Sequence, residues 1–91
     1  MVKFFHANDG VHKYVAEFDN PPERVSFGAI GYESYPDHLD SYRKKLYLNR
    51  HRKRENWNDP RTPGALSRWI LWNKKTIEES IAHYIKKFDM H

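Results

Sequence analysis

The chain has 91 residues, no cysteine, and 16 Lys and Arg against 12 Asp and Glu, which gives a net charge of +4. A chain of this length forms one small domain, and the lack of cysteine excludes disulfides, cysteine-ligated zinc and a thiol nucleophile. Its apolar runs are too short for a membrane span, and its polar start is unlike a signal peptide. We expect one intracellular domain, residues 1–91, with no cofactor.

The charge is divided unevenly along the chain. Residues 1–40 carry three basic and seven acidic side chains, a net charge of −4, whereas residues 41–91 carry thirteen basic and five acidic ones, a net charge of +8. A protein that only coats nucleic acid has no need of an acidic half. The division therefore favours a protein that connects unlike surfaces.

Residues 1–30 alternate between apolar and polar side chains, which predicts a three-stranded β-meander. Candidate strands cover 2–7, 11–18 and 24–30. The turn at 8–10 suits a tight hairpin, and the prolines at 21 and 22 must interrupt the sheet because they lack backbone donors. The second strand places Tyr14, Ala16 and Phe18 on one face, and the third places Val25, Phe27 and Ala29 on one face.

The remainder, residues 31–91, predicts a basic helical part. A first helix begins at Asp37 or Asp40 and runs to about Arg54. Its apolar side chains recur at helical spacing and are expected to pack on the sheet; they are Leu39, Tyr42 and Leu46.

Two further helices follow. One begins at Thr62-Pro63 and ends at Asn73, with a buried stripe of Leu66, Trp69 and Ile70. The last begins with a capping box from Thr76 to Glu79, and its apolar stripe is Ile77, Ile81, Tyr84, Ile85 and Phe88. The sequence therefore predicts an α+β fold, in which three helices pack on one face of a small antiparallel meander.

The segment 42–57 contains seven Lys or Arg residues and no acid before Glu55. Such a run repels itself, and a polyanion or an acidic protein face relieves that repulsion. The alternative is a solvated helix face. The residues predicted to bind an anionic partner are Arg43, Lys44, Lys45, Arg50, His51, Arg52, Lys53 and Arg54.

Aromatic and apolar residues near this run predict protein contacts. Leu71 and Trp72 are expected to point outward if Trp69 and Ile70 fill the core, and exposed side chains of this kind anchor interfaces. The alternative is that the whole short helix is internal. The predicted contact residues are Tyr47, Trp57, Leu71 and Trp72.

A catalytic or metal site is a weaker hypothesis. Asp37, His38 and Asp40 beside basic residues resemble what a metal-dependent nuclease uses, although helix capping explains both aspartates more simply. Six histidines invite a zinc hypothesis, but none pairs with another at i, i+4 on one helix; they are His6, His12, His38, His51, His83 and His91. We predict no enzyme and no metal.

Several blocks resemble a family of small basic proteins of nucleocytoplasmic large DNA viruses, the giant viruses, over about residues 13–88. The blocks are 27–32 (Phe-Gly-Ala-Ile-Gly-Tyr), Tyr35, His38, Arg43, Tyr47, Arg50-His51, Asn56-Trp57, 66–73 and 76–81. The resemblance implies a viral setting and supplies no catalytic residues.

We therefore expect a non-enzymatic viral structural or interaction protein, a minor component of the capsid or virion interior. Its partners would be other virion proteins, and also viral DNA through nonspecific backbone contacts. The alternative is a nucleic-acid-binding protein of genome replication or packaging, and the third hypothesis is the metal-dependent nuclease. The expected location is the virion and the host cytoplasm or virus factory.

Overall fold

The computed structural model describes residues 1–90, in which a three-stranded antiparallel sheet precedes the helices of an α+β fold. His91, counted above in the domain and among the histidines, lies outside the described residues. The strands, paired in chain order, are β1 Val2–His6, β2 Tyr14–Phe18 and β3 Glu23–Phe27. The helices are α1 Tyr35–His38, α2 Ser41–His51, α3 Pro63–Leu66, a π-helical turn Ser67–Leu71, and α4 Ile77–Lys87.

The register of the sheet confirms the predicted alternation of side chains between its two faces. Ala16 pairs with Phe4 on one side and Val25 on the other, and the core includes Phe18 and Phe27 from the same face. The strands are shorter than expected, because β3 ends at Phe27 and the backbone then turns at Gly28, whose φ is +77°. Ala29, predicted on the same strand face as Val25 and Phe27, is consequently exposed.

Helix α4 and the π-helical turn supply the other side of the core. Tyr84 of α4 is fully buried, its hydroxyl donates to the Pro60 carbonyl at 2.6 Å, and its ring meets that of Phe4 at 5.7 Å. The Thr76 hydroxyl caps α4 by accepting from the Glu79 amide at 3.1 Å. Glu79 accepts from that hydroxyl rather than from the backbone expected for a capping box. Within residues 1–90, no helix has the length and apolarity to cross a bilayer.

The segment after α3 departs from regular α-helical geometry. The Trp72 amide donates to the Ser67 carbonyl at 3.1 Å, an i to i+5 bond that widens the turn. Because of this widening, Ile70 and Leu71 are both buried, whereas Trp69 is only half-buried. The predicted stripe was therefore correct for Leu66 and Ile70 and wrong in leaving out Leu71.

Arg61 holds the connection between β2 and β3 against the helical part. Its guanidinium donates to the carbonyls of Pro21 at 2.7 Å and Asp19 at 2.8 Å, and it lies 4.6 Å from the centre of the Phe18 ring. Hydrogen bonds from a charged donor contribute more than neutral ones. We expect Arg61→Ala to lower the free energy of unfolding by about 2 kcal/mol in urea denaturation.

Arg24→Ala is the matched control for this prediction. Arg24 is exposed and forms one ion pair with Glu17, at 3.8 Å. Such a pair contributes about 0.5 kcal/mol or less. Similar decreases in the free energy of unfolding for the two variants would show that the contacts of Arg61 do not stabilise the connection between β2 and β3.

Candidate functional site

Helix α2 carries most of the predicted anion-binding residues, and Asp40 fixes where it begins. The Asp40 carboxylate accepts from the amides of Tyr42 at 3.0 Å and Arg43 at 3.2 Å, which satisfies two donors that have no partner within the helix. The helix ends at His51 rather than at the expected Arg54, and a turn follows, closed by the Arg54 amide on the His51 carbonyl at 3.0 Å. Positive charge at this end suits the helix dipole.

The side of α2 that faces the protein is built on a stack of three rings. Tyr47 lies between Trp72, with ring centres 4.3 Å apart and planes at 7°, and His51, with ring centres 4.1 Å apart. Burial raises the pKa of Tyr47 to about 12, so its hydroxyl stays neutral near pH 7. The stack attaches α2 to the residue that follows the π-helical turn.

Lys44 and His51 belong to this inward side, and their predicted part in anion binding stays a prediction. The Lys44 ammonium donates to the Asn73 carbonyl at 2.6 Å and lies 4.7 Å from the Tyr35 ring centre. Burial, and to a smaller extent the positive charges of Arg68 and Lys74, lowers the pKa of Lys44. His51 is held through Nδ1 by Glu55 at 2.9 Å. Both side chains are thus engaged within the protein.

The outward side of α2 is the one expected to pack on the sheet, and that expectation was wrong. Leu39, just before α2, is 52% exposed, Tyr42 is 65% exposed and Leu46 is 41% exposed. A helix offers one face to the core, and on α2 the stacking of Tyr47 on Trp72 selects that face, so Tyr42 points away from the protein and Leu46 lies at the edge of the packed side. Leu39, Tyr42 and Leu46 are therefore exposed apolar side chains, and we refer to these three together as the apolar ridge.

Cations surround this ridge. Arg43 is exposed and pairs with Glu33 at 3.6 Å. The other five are exposed, and in the part of the chain that the structure describes none of them forms an ion pair; they are Lys45, Arg50, Arg52, Lys53 and Arg54. Concentrated positive charge without internal compensation produces an attractive potential for anions. We call the ridge together with these six cations the basic–apolar surface.

The predicted protein-contact residues take different positions from those expected. Leu71 is 4% exposed and lies in the core, because the widened π-helical turn directs it inward, so its assignment as an exposed anchor was wrong. Trp72 is half-buried between the rings of Tyr47 and His38. Trp57 is also half-buried, and its indole nitrogen donates to Glu55 at 2.9 Å. Partner contact by Tyr47, Trp57 and Trp72 stays a prediction.

The three residues of the nuclease hypothesis accept hydrogen bonds from backbone amides around α1 and α2. Asp37 accepts from the Ser34 amide at 2.8 Å, and this bond, ahead of the smaller contribution of Lys13, lowers the pKa of the Asp37 carboxyl. His38 Nδ1 accepts from the Asp40 amide at 3.0 Å. Across residues 1–90, no three His, Cys, Asp or Glu side chains are grouped to hold a metal ion.

Beside the basic–apolar surface lies a cleft of about 700 Å³, which the sequence did not predict. One wall is α2, the other is the loop after β3, and Leu71 and Trp72 contribute to its lining. Tyr32 of the loop is 75% exposed. No motif distinguishes the lining residues; only the glycines at 28 and 31 signalled a turn here.

Comparison with known proteins adds a family assignment without a function. The model of a family described as "Family of unknown function (DUF5754)" matches residues 2–51, more than half of the chain. The matched region contains all three strands, α1 and α2. No curated protein and no solved structure matches the chain.

Proposed function

Because the chain belongs to DUF5754, a family of unknown function, we propose its role from its own surface: it is a non-enzymatic interaction protein that binds an acidic protein through the basic–apolar surface. The observation that carries this proposal is the exposure of Tyr42 and Leu46 among unpaired cations. Phosphate contacts need cations alone, whereas protein interfaces combine an apolar anchor with a charged rim. The mixture favours a protein partner.

The distribution of charge over the chain supports the same partner. The first 40 residues have a net charge of −4, and the basic half follows them. A long polyanion that extends beyond α2 would meet these acids, whereas a protein surface of limited size need not. The acidic half thus favours a bounded acidic surface over an extended one.

The resemblance to giant-virus proteins supplies the setting of the proposal. We place the protein in the virion as a minor component of the capsid or interior, where its partners are other virion proteins. Mass spectrometry of purified particles of the virus that encodes the chain tests this placement. Absence of the protein from particles whose known minor components are detected would contradict it.

A second candidate function is nucleic-acid binding during replication or packaging. The observation that favours it is the run of exposed, unpaired cations from Arg50 to Arg54, broken only by the engaged His51. Cations on successive residues neutralise neighbouring phosphates without reading sequence. This binding would weaken steeply as the salt concentration rises.

The test reverses three charges, Arg52→Glu, Lys53→Glu and Arg54→Glu, and measures binding to a random glutamate–tyrosine copolymer and to duplex DNA. At about 150 mM salt we expect the native protein to prefer the copolymer, since its tyrosines add apolar contact that salt does not screen. The reversal should lower copolymer affinity by about 100-fold, as lost attraction becomes repulsion. Fluorescence anisotropy of labelled copolymer and DNA measures both affinities.

Two controls make this test specific. The dispersed reversal Lys3→Glu, Lys75→Glu and Lys86→Glu changes the net charge equally at exposed positions outside the surface and should cost less than about tenfold. Tyr42→Ser should abolish the preference for the copolymer over DNA. A native protein that prefers duplex DNA at this salt concentration would replace the protein-partner proposal by the nucleic-acid one.

A further inference from the structure

The cleft beside α2 contains features that a flat charged surface lacks, and we propose that it receives a short acidic segment of the partner protein, with an apolar side chain seated between two carboxylates. This assignment rests on the proposed function, since it names the part of an acidic partner that enters the molecule. The cleft volume of about 700 Å³ lies within the range of sites that bind small ligands or a few side chains.

Two arginines of α2 lie along one wall of the cleft. Arg43 and Arg50 are seven residues apart, which places them on one side of the helix and roughly 10 Å apart along its axis. Arg50 forms no ion pair within residues 1–90. The pair of Arg43 with Glu33 spans 3.6 Å between half-exposed side chains, which makes it weak enough for a partner carboxylate to replace.

Apolar side chains occupy the space between these arginines. Leu46 lies between them on the same helix and is 41% exposed, and Tyr32 approaches from the opposite wall. Leu71 and Trp72 contribute apolar lining behind them. Leu46 and Tyr32 would lose contact with water if an apolar side chain filled the cleft, so its middle favours an apolar group.

The spacing of the arginines fits an extended peptide. In a polyproline II segment each residue advances about 3.1 Å and three residues complete a turn, so side chains i and i+3 point the same way about 9 Å apart. This distance is close to the separation of Arg43 and Arg50. A segment with two carboxylates at this spacing can pair with both arginines, while the intervening side chains, turned about 120° away from the carboxylates, face the opposite wall of the cleft at Tyr32.

Two acids in the lining disfavour a phosphate chain as the occupant. Glu33 and Glu55 both line the cleft, and Glu55 is fixed there by its bonds to His51 and Trp57. A continuous phosphate backbone carries charge along its whole length and would pass these carboxylates, whereas a peptide places charge only where an arginine receives it. The cleft therefore favours discrete carboxylates.

The probe is an acetylated and amidated peptide, Pro-Glu-Leu-Phe-Glu-Pro, titrated into ¹⁵N-labelled full-length protein. We expect the largest amide shift changes at Tyr32, Leu46 and Leu71. Replacing the central Leu-Phe by Ser-Ser should lower the affinity by about tenfold, because the apolar contact is lost. Shift changes confined to residues 52–54, or equal affinity of the two peptides, would overturn the proposal.

The matched variants are Arg50→Gln in the cleft and Arg52→Gln outside it, which remove the same charge. Loss of a charge-assisted contact predicts a decrease of about tenfold in peptide affinity for Arg50→Gln, and less than about twofold for Arg52→Gln. Unchanged dispersion of the amide spectrum confirms that each variant is folded. Equal losses of peptide affinity in the two variants would mean that only nonspecific charge attraction is measured, and would overturn the proposal. Stronger binding of an oligothymidylate than of the peptide in the same cleft would also overturn it.

The two proposals fail in distinguishable ways. A protein that binds the glutamate–tyrosine copolymer but not the peptide keeps its proposed function and loses the cleft assignment. A protein that binds neither loses both. The reversal at residues 52–54 should leave peptide binding within a fewfold of native, since these residues do not line the cleft.

Discussion

Leu66→Ala is expected to lower the free energy of unfolding by about 3 kcal/mol, whereas Leu46→Ala should lower it by less than about 0.5 kcal/mol. Leu66 is fully buried, and truncation there leaves a cavity that the surrounding sheet and helices cannot fill. Leu46 is 41% exposed on the outward side of α2. Urea denaturation followed by circular dichroism measures both changes, with unchanged m-values as the sign that the unfolding reaction is the same.

The comparison of the two leucines distinguishes the structure from the sequence pattern. The pattern places Leu46 on the face that packs on the sheet, and the structure places it in solvent. If Leu46→Ala is as destabilising as Leu66→Ala, α2 presents its other face to the core. The basic–apolar surface would then not exist, and both functional proposals would lose their basis.

The second large effect is expected at Gly28, where a side chain is excluded on two grounds. Its φ of +77° disfavours any residue with a Cβ, and a Cβ built there would lie 2.9 Å from Leu71 Cδ1 and 3.2 Å from Lys13 Cβ. A left-handed backbone costs about 1 kcal/mol and overpacking about 2 kcal/mol more. Gly28→Ala should therefore lower the free energy of unfolding by about 3 kcal/mol in the same urea assay.

Gly31→Ala is the control that separates the two causes. Gly31 has a φ of +91°, but no atom lies within 4 Å of a Cβ built on it. We expect Gly31→Ala to lower the free energy of unfolding by only about 1 kcal/mol, because only the backbone conformation is disfavoured. If both variants lose the same free energy of unfolding, Leu71 does not pack tightly over Gly28. The position of Leu71 in the lining of the cleft would then be wrong.

The elements that depend on local chemistry were predictable from the sequence. The alternation of Tyr14, Ala16 and Phe18 identified the core face of β2, because successive side chains of a strand point to opposite sides. The caps at Asp40 and Thr76 were predictable because a short polar side chain can satisfy the amides at a helix start. In each case the deciding interaction lies within a few residues.

The orientation of α2 was not predictable in this way. Its sequence offers two stripes at helical spacing, one with Tyr42 and Leu46 and one with Tyr47 and His51, and spacing alone does not choose between them. The choice depends on Trp72, which is distant in sequence and stacks on Tyr47. The burial of Leu71 likewise depended on a π-helical turn that no sequence pattern indicated.

For the candidate site, the sequence located the charge but not its availability. The run of basic residues was visible, yet Lys44 bonds to the Asn73 carbonyl and His51 pairs with Glu55, and neither engagement follows from composition. The cleft could not be predicted from the sequence either, because its walls come from α2 and from the loop after β3. Charge is a property of the residues, but its freedom to bind depends on their neighbours in space.

Residue type and short-range spacing are enough to predict the sheet, the helix starts, the α+β class and the concentration of positive charge in one segment. They do not predict which side of α2 meets solvent, which of its cations stay unpaired or where a cleft forms. These depend on contacts between segments far apart in the chain, such as Tyr47 with Trp72 and Leu71 with Gly28. Which of these contacts form is decided only when the segments pack together into one close-packed core.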